Sequence, residues 1–82
     1  MASHDTFHLV IASVGESLFD GAALSATLPG IAGQFTVLPH HEPLVSILKE
    51  GTIAVKESLG VKEFSIAGGV VEISGNKAVV LL

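Results

Sequence analysis

The chain has 82 residues, of which 49% are apolar and 15% charged, and its formal net charge is −4. This length fits one small domain, and high hydrophobicity with low charge excludes a disordered chain. The absence of cysteine excludes a disulfide scaffold and a cysteine-bound zinc or iron–sulfur site.

The basic residues argue against two classes of partner. They are four lysines and no arginine, spread singly along the chain: Lys49, Lys56, Lys62 and Lys77. Nucleic acids and anionic membrane surfaces are bound by clustered Lys and Arg. No apolar stretch reaches the roughly 20 residues that cross a bilayer, and the first residues lack the positive charge of a secretory signal. We therefore expect a cytoplasmic protein with no nucleic-acid partner and no direct membrane insertion.

Period-two alternation of apolar and polar residues predicts a series of short strands. In chain order they cover residues 7–11, 24–28, 34–39, 52–57, 61–67, 70–74 and 77–82. Turns are predicted at residues 49–51, 58–60 and 75–76, where glycine allows a positive φ. Only residues 41–50 are long enough for a helix, and Pro43 favours an extended or turn conformation there. The prediction is an all-β sandwich or barrel.

The last predicted strand is apolar on both sides. Ala78 and Val80 alternate with Val79 and Leu81, so one side of this strand needs cover beyond the core of its own sheet. Three sources of cover stay open: the rim of a second sheet, a further C-terminal segment, or another protein.

The densest polar cluster is His40, His41 and Glu42, between two prolines. Neighbouring residues of an extended chain point to opposite faces, so the two histidines are poorly placed to share a metal ion. A rigid loop that presents histidines suits recognition better than catalysis.

The residue types of a catalytic triad occur in Ser3-His4-Asp5, but they are sequence neighbours in a terminus that we expect to be flexible over residues 1–6. Ala67-Gly68-Gly69 lacks the residues that complete a phosphate loop and predicts a bulge or a close approach of two strands.

Four motifs, in the same order, resemble the ε subunit of F-type ATP synthases, called δ in mitochondria. Residues 7–13 are similar to the opening strand of that family, and residues 18–21 to its Phe-x-Gly step. Residues 33–44 match its segment Gly-x-x-x-x-Leu/Tyr-Pro-x-His-x-Pro-Leu, and residues 67–72 are similar to its strand Gly-Gly-Phe/Val/Leu-x-Glu. Between these two motifs, Lys49-Glu50-Gly51 stands at the position of its Pro-Gly turn. The resemblance covers residues 7–82.

The resemblance implies a flattened β-sandwich of about ten short strands. It implies a non-catalytic subunit of the central stalk that binds the γ subunit and the c-ring and couples proton-driven ring rotation to ATP synthesis, with no cofactor or metal. It places the c-ring contacts on two segments: Gly30, Ile31, Ala32, Gly33, Gln34, and His40, His41, Glu42. It places the γ contacts on the first strand and on the double-glycine strand: Leu9, Ile11, Gly68, Gly69, Val70 and Glu72. The family often has an acid at the position of Gln34, which is uncharged in this chain.

The resemblance also has implications for the subcellular location and for the C-terminal part of the protein. The expected location is peripheral, on the cytoplasmic face of a bacterial inner membrane, as part of the synthase. Family members continue into a C-terminal helical hairpin, which we expect to be absent here because the chain stops at Leu82, through truncation or as a naturally short form. The alternative is a stand-alone β-sandwich that binds a ligand or a partner, although the lack of Trp and Tyr speaks against a ligand pocket.

Overall fold

A computed structural model describes residues 5–82, and these residues form nine β-strands and no helix. In chain order the strands are β1 Phe7–Ser13, β2 Glu16–Ala23, β3 Ser25–Gly30, β4 Gly33–Val37, β5 Leu44–Leu48, β6 Gly51–Glu57, β7 Gly60–Ile66, β8 Gly69–Ser74 and β9 Lys77–Leu81. The all-β prediction is confirmed.

The strands form one hydrogen-bonded sheet that curls into two layers. The order along the sheet is β2-β1-β9-β8-β5-β3-β6-β7, and β4 pairs with β3 alone. Layer 1 contains β2, β1, β9, β8 and β5; layer 2 contains β4, β3, β6 and β7. A single bridge between Gly30 and Leu48 joins the layers on one side. On the other side β2 meets β7, where the rings of Phe19 and Phe64 lie edge to face at 6.1 Å between centroids. The sandwich is therefore closed by packing rather than by a continuous hydrogen-bond ladder.

The core lies between the layers and is filled by the inward side chains of every strand. Its buried hydrophobic residues are Phe7, Leu9, Ile11, Phe19, Ala23, Ala26, Leu28, Val37, Leu48, Ile53, Val55, Ile66, Val71, Ile73, Ala78 and Val80. None of the described polar or charged residues is buried. The alternation in the sequence placed most of these side chains on the correct face, because a strand with one wet side needs that pattern.

The predicted turns are present, but they differ in what they connect. The Gly75-Asn76 turn joins the antiparallel pair β8 and β9, and both residues have positive φ (57° and 59°), as a type I′ turn requires. Residues 58–59 join the hairpin β6–β7. Residues 49–50 join no hairpin, since β5 pairs with β8 while β6 pairs with β3 and β7. This turn carries the chain from layer 1 to layer 2.

The double glycine lies where the backbones of two strands approach closely, as predicted. A Cβ added to Gly69 would stand 2.6 Å from the carbonyl oxygen of Leu81, and the φ of Gly69 is 156°. A side chain has no room there, so glycine is needed for β8 to lie beside the end of β9.

Candidate functional site

The turns of the sandwich gather at two opposite ends, which carry different chemistry. One end, called here the Gly68 end, has the turns 14–15, 31–32, 49–50 and 67–68; the other, the His40 end, has residues 5–6, 38–43, 58–59 and 75–76. The two segments predicted to contact the c-ring fall at different ends. Residues 30–34 form the β3–β4 turn at the Gly68 end, and residues 40–42 lie at the His40 end. The edge strand β4 is the link between them.

The His40 end carries a tight turn over residues 38–41, which we call the His40 turn. The amide of His41 donates to the carbonyl of Leu38 at 3.2 Å. Because Pro39 fixes a negative φ at the second position and His40 has a φ of 63°, this is a type II turn, whose third position favours glycine. The imidazole of His40 is exposed, with its Nε2 at 4.0 Å from Asp5 Oδ2.

The neighbours of the His40 turn are presented differently. His41 is half-buried, and its Nδ1 donates to the backbone carbonyl of Glu42 at 2.6 Å. Glu42 is exposed. The structure therefore offers an exposed imidazole that faces Asp5, a second imidazole anchored to the backbone, and an exposed carboxylate, on three consecutive residues.

The β3–β4 turn at the Gly68 end presents apolar and amide groups. Ile31, Ala32, Gly33 and Gln34 are exposed, whereas Gly30 is buried. A Cβ on Gly30 would stand 2.9 Å from the Phe35 ring and 2.7 Å from the carbonyl of Gly33. Gly30 thus serves the packing of the hairpin, and the exposed surface here belongs to the four residues after it.

The outer face of layer 1 is apolar over four neighbouring strands. Residues directly opposite each other in the ladders share this face: Ala12, Leu81, Val70 and Ile47 in one row, and Val10, Val79 and Val45 in the next. We call these seven residues the apolar face. Val45 is 68% exposed, Leu81 58%, Ile47 56% and Val70 41%. Contiguous exposed apolar residues on this scale mark an interaction site or a ligand-binding surface.

Polarity increases across the apolar face toward the His40 end. The row nearest the Gly68 end is wholly apolar, and the next row includes Glu72 between Val79 and Val45. The row after that contains His8, Lys77 and Ser74. At its flank, His8 Nε2 lies 2.5 Å from Asp20 Oδ1 on β2. An apolar centre beside a polar, charged rim is the usual anatomy of a protein interface.

The residues predicted to contact γ divide between two sides of layer 1. Val70 and Glu72 point outward on the apolar face, and Gly68 and Gly69 lie at its edge. Leu9 and Ile11 are 0% exposed in the core. The prediction that the side chains of Leu9 and Ile11 contact a partner is therefore wrong. Neighbours along a strand alternate between faces, so β1 faces outward through its even-numbered residues.

Sequence reasoning missed most of the apolar face. Val10, Val45 and Ile47 each lie in a run that is apolar on both sides of the pleat, and this pattern alone does not say which side is exposed. Residues 78–82 have the same pattern, and there Val79 and Leu81 lie outward. The three runs become one surface only through the sheet order β1-β9-β8-β5, which the sequence does not reveal.

Other candidate chemistry finds little geometric support. Among residues 5–82, no group of three or more His, Asp or Glu side chains is placed to hold a metal ion. Ser3 and His4 of the triad-like segment lie outside the described residues.

An open groove of about 490 Å³ lies between Leu24 and the β6–β7 turn. It contains Glu57 and Lys62, whose charged atoms lie 3.7 Å apart. No helix of the described part is long and apolar enough to span a membrane.

The curled sheet and the contiguous exposed residues on its outer side define a β-sandwich domain with an apolar surface outside its core. Residues 6–82 match the family model described as "ATP synthase, Delta/Epsilon chain, beta-sandwich domain". The chain belongs to this family.

Relatives in sequence and in structure agree with the family. The chain is 36% identical to the ATP synthase epsilon chain of Polaromonas naphthalenivorans over 78 residues, which are 94% of the chain and 56% of that protein. It is 35% identical to the epsilon chain of Rhodobacter capsulatus, covering 94% of the chain and 58% of the relative. The chain thus spans about half the length of the curated relatives that it matches.

Two solved structures share the fold at low sequence identity. A chain of the Euglena gracilis mitochondrial ATP synthase superposes with a TM-score of 0.87 at 20% identity, covering 93% of this chain and 49% of that one. A chain of the Tetrahymena thermophila mitochondrial ATP synthase gives a TM-score of 0.77 at 16% identity, covering 90% and 60%.

Proposed function

We propose that the chain is a non-catalytic subunit of the central stalk of a proton-translocating F-type ATP synthase, which binds the γ subunit and the c-ring and couples ring rotation to ATP synthesis. The observation that carries the proposal is the uncovered apolar face, present on a domain whose family is that of the ATP synthase delta/epsilon chain. The structures that share its fold come from an assembly with F1 and c-ring and from a central stalk with c-ring.

The apolar face is the proposed γ-binding surface. Four exposed aliphatic side chains lie on three adjacent strands, β5, β8 and β9, at positions fixed by the ladders. Adjacent strands are about 4.8 Å apart, so the surface is roughly 10 Å wide between its outermost strands. Burying a fully exposed Val, Leu or Ile contributes about 1.5–3 kcal/mol, and each of these four would contribute a part of that. Glu72, within the second row, and Lys77, in the row after it, would fix the orientation of the partner.

The c-ring contact is proposed along the edge strand β4 and the turns that flank it. This edge runs from Gln34 to the His40 turn, seven residues that span at most about 25 Å when extended. β4 pairs with β3 on one side only, so the other edge of its backbone is open to a partner. The strip holds an amide at Gln34 and imidazole and carboxylate groups at His40, His41 and Glu42, all suited to polar loops of a ring. Because Gln34 is uncharged, the charged part of this contact is assigned to the His40 end.

A rigid domain that binds both γ and the c-ring would couple the rotation of the ring to that of γ. The proposed γ surface lies on layer 1, and the proposed ring surface lies on the edge of layer 2. Both layers share one core in which sixteen hydrophobic residues are buried. Protein cores are packed as densely as organic crystals, so a torque applied to one surface reaches the other without large internal strain. The domain needs no catalytic group for this role, and it would be held at the membrane peripherally, through its partners, on the cytoplasmic face.

The ring contact is tested by changing exposed residues of the His40 turn region. We expect that His41→Ala with Glu42→Ala, introduced in the full subunit of an assembled complex, changes thermal stability by no more than about 0.5 kcal/mol, since Glu42 is exposed and His41 only half-buried. Proton-pumping driven by ATP should fall while ATP hydrolysis persists. A paired change at Ser58 and Leu59 to alanine, on the neighbouring turn, is the control. Unchanged proton-pumping in the first variant would refute the ring contact at this end.

A stand-alone ligand-binding module is the second candidate. The groove beside Leu24 is the feature that would serve it, but its two charged side chains pair with each other rather than converge on a ligand. No observation favours this function over the first.

A further inference from the structure

We infer that Asn76 is a positioning residue: its side chain holds the His40 turn and the segment entering β1 in one fixed arrangement. The part of the inference that concerns the ring rests on the proposed function above. The positioning itself rests on geometry, because Asn76 forms hydrogen bonds to chain segments 36 and 70 residues away in sequence.

The two ends of the Asn76 amide have different partners. Its Oδ1 accepts from the backbone N–H of His40 at 2.7 Å, and its Nδ2 donates to the carbonyl of Thr6 at 3.0 Å. The backbone carbonyl of Asn76 also accepts from the amide of His8 at 3.2 Å. Only this orientation of the amide satisfies both side-chain bonds, since a flipped amide would set donor against donor and acceptor against acceptor.

The His40 turn needs such a partner. A type II turn uses the N–H of its fourth residue, here His41, for its own hydrogen bond, and leaves the N–H of its third residue unpaired. That third residue is His40, which also has a φ of 63° that is unfavourable for a side chain bearing a Cβ. The bond from Asn76 engages the free N–H and holds this strained conformation. Strain that persists at a surface loop is a sign that the surroundings over-determine it.

The residue type at position 76 fits two requirements at once. The type I′ turn requires a positive φ, which Asn tolerates better than other residues with a side chain, and Asn76 has a φ of 59°. Glycine would satisfy the turn equally well but would offer no amide. Asn76 therefore does more than close the β8–β9 hairpin.

Two substitutions separate these roles. Asn76→Gly keeps the turn and removes both side-chain bonds, whereas Asn76→Asp keeps an acceptor for the His40 N–H and removes the donor to Thr6. The measurement is amide hydrogen exchange of the chain by NMR. We expect exchange of the His40 amide to rise about fivefold in Asn76→Gly, the effect of losing one hydrogen bond, and to stay near the original in Asn76→Asp. Amides of β8 and β9, such as that of Val80, should not change.

The outcomes distinguish a positioning role from a merely structural one. Unchanged exchange at His40 in Asn76→Gly would overturn the inference, and so would faster exchange throughout β8 and β9, which would mean that Asn76 only closes its hairpin. In assembled complexes, Asn76→Gly is compared with His41→Ala plus Glu42→Ala. If only the latter impairs proton-pumping, the positioning inference fails for the ring. If neither does, the proposed ring contact at this end fails, while the exchange result still decides the positioning of the turn.

Discussion

Ile47 offers the sharpest single test of the apolar face. It lies in β5, directly opposite Val70 in the ladder, and is 56% exposed. Ile47→Thr keeps the β-branched shape that suits a strand and replaces a methyl-bearing branch by a hydroxyl. In the free domain the hydroxyl meets water, so we expect the free energy of unfolding to change by no more than about 0.5–1 kcal/mol.

Binding responds differently, because a covering partner removes the exposed part of Ile47 from water. Full burial of an isoleucine contributes about 1.5–3 kcal/mol, and the exposed 56% of it about 1–1.5 kcal/mol. Threonine loses most of this and leaves a hydroxyl to be desolvated at about 1–3 kcal/mol. The expected total is about 2–4.5 kcal/mol, which corresponds to a rise in the Kd for the γ subunit of roughly 30- to 2,000-fold.

The assay is titration calorimetry of the chain into purified γ subunit, with thermal unfolding by circular dichroism on each variant. Leu59→Thr is the matched control, since Leu59 is 99% exposed on the β6–β7 turn, outside the apolar face. If exposure alone governed binding, Leu59→Thr would be the more damaging change. Equal Kd values for Ile47→Thr and the unchanged chain, with both folded, would refute the assignment of this face to γ.

Two further predictions concern the backbone. His40→Gly should raise the free energy of unfolding by up to about 1 kcal/mol, or the midpoint of thermal unfolding by a few degrees, because glycine relieves the positive φ of 63°; a lower midpoint would contradict the type II turn. Gly69→Ala should lower the free energy of unfolding by more than about 2 kcal/mol, because its Cβ would meet the carbonyl of Leu81 at 2.6 Å. Gly15→Ala, with a φ of 75° but open space around it, should cost only about 1 kcal/mol, and equal losses at both sites would argue against the close approach.

The strands that alternate cleanly could be predicted from the sequence, and the reason is local. In residues 71–74, Val71 and Ile73 point to the core, and Glu72 and Ser74 point to water. The polarity of each side chain therefore predicts the face of the sheet on which it lies. Strand β2 lacks clean alternation, because apolar Leu18 and Ala22 point outward while Gly21 occupies an inward position beside the Phe19 ring. The register between β1 and β2 also shifts, from Ile11 opposite Phe19 to Ala12 opposite Ser17, which leaves Leu18 of β2 without a partner in the ladder.

The proposed interaction surfaces could not be predicted from the sequence, because local patterns do not reveal which strands are neighbours in the sheet. The motif around residues 33–44 marked His40, His41 and Gln34, but only the fold shows that they stand at opposite ends of β4. The apolar face joins residues as distant in sequence as Val10 and Val79, through a parallel pairing of β1 and β9. Long-range strand order is set by packing of the whole core, and local alternation is compatible with several such orders.

The measurement that tests the central claim most directly is the stoichiometry of the chain with the γ subunit of its source organism. In sedimentation velocity at micromolar concentration, we predict a single species with one copy of each protein. Two separately sedimenting proteins, with the chain shown to be folded, would contradict the account.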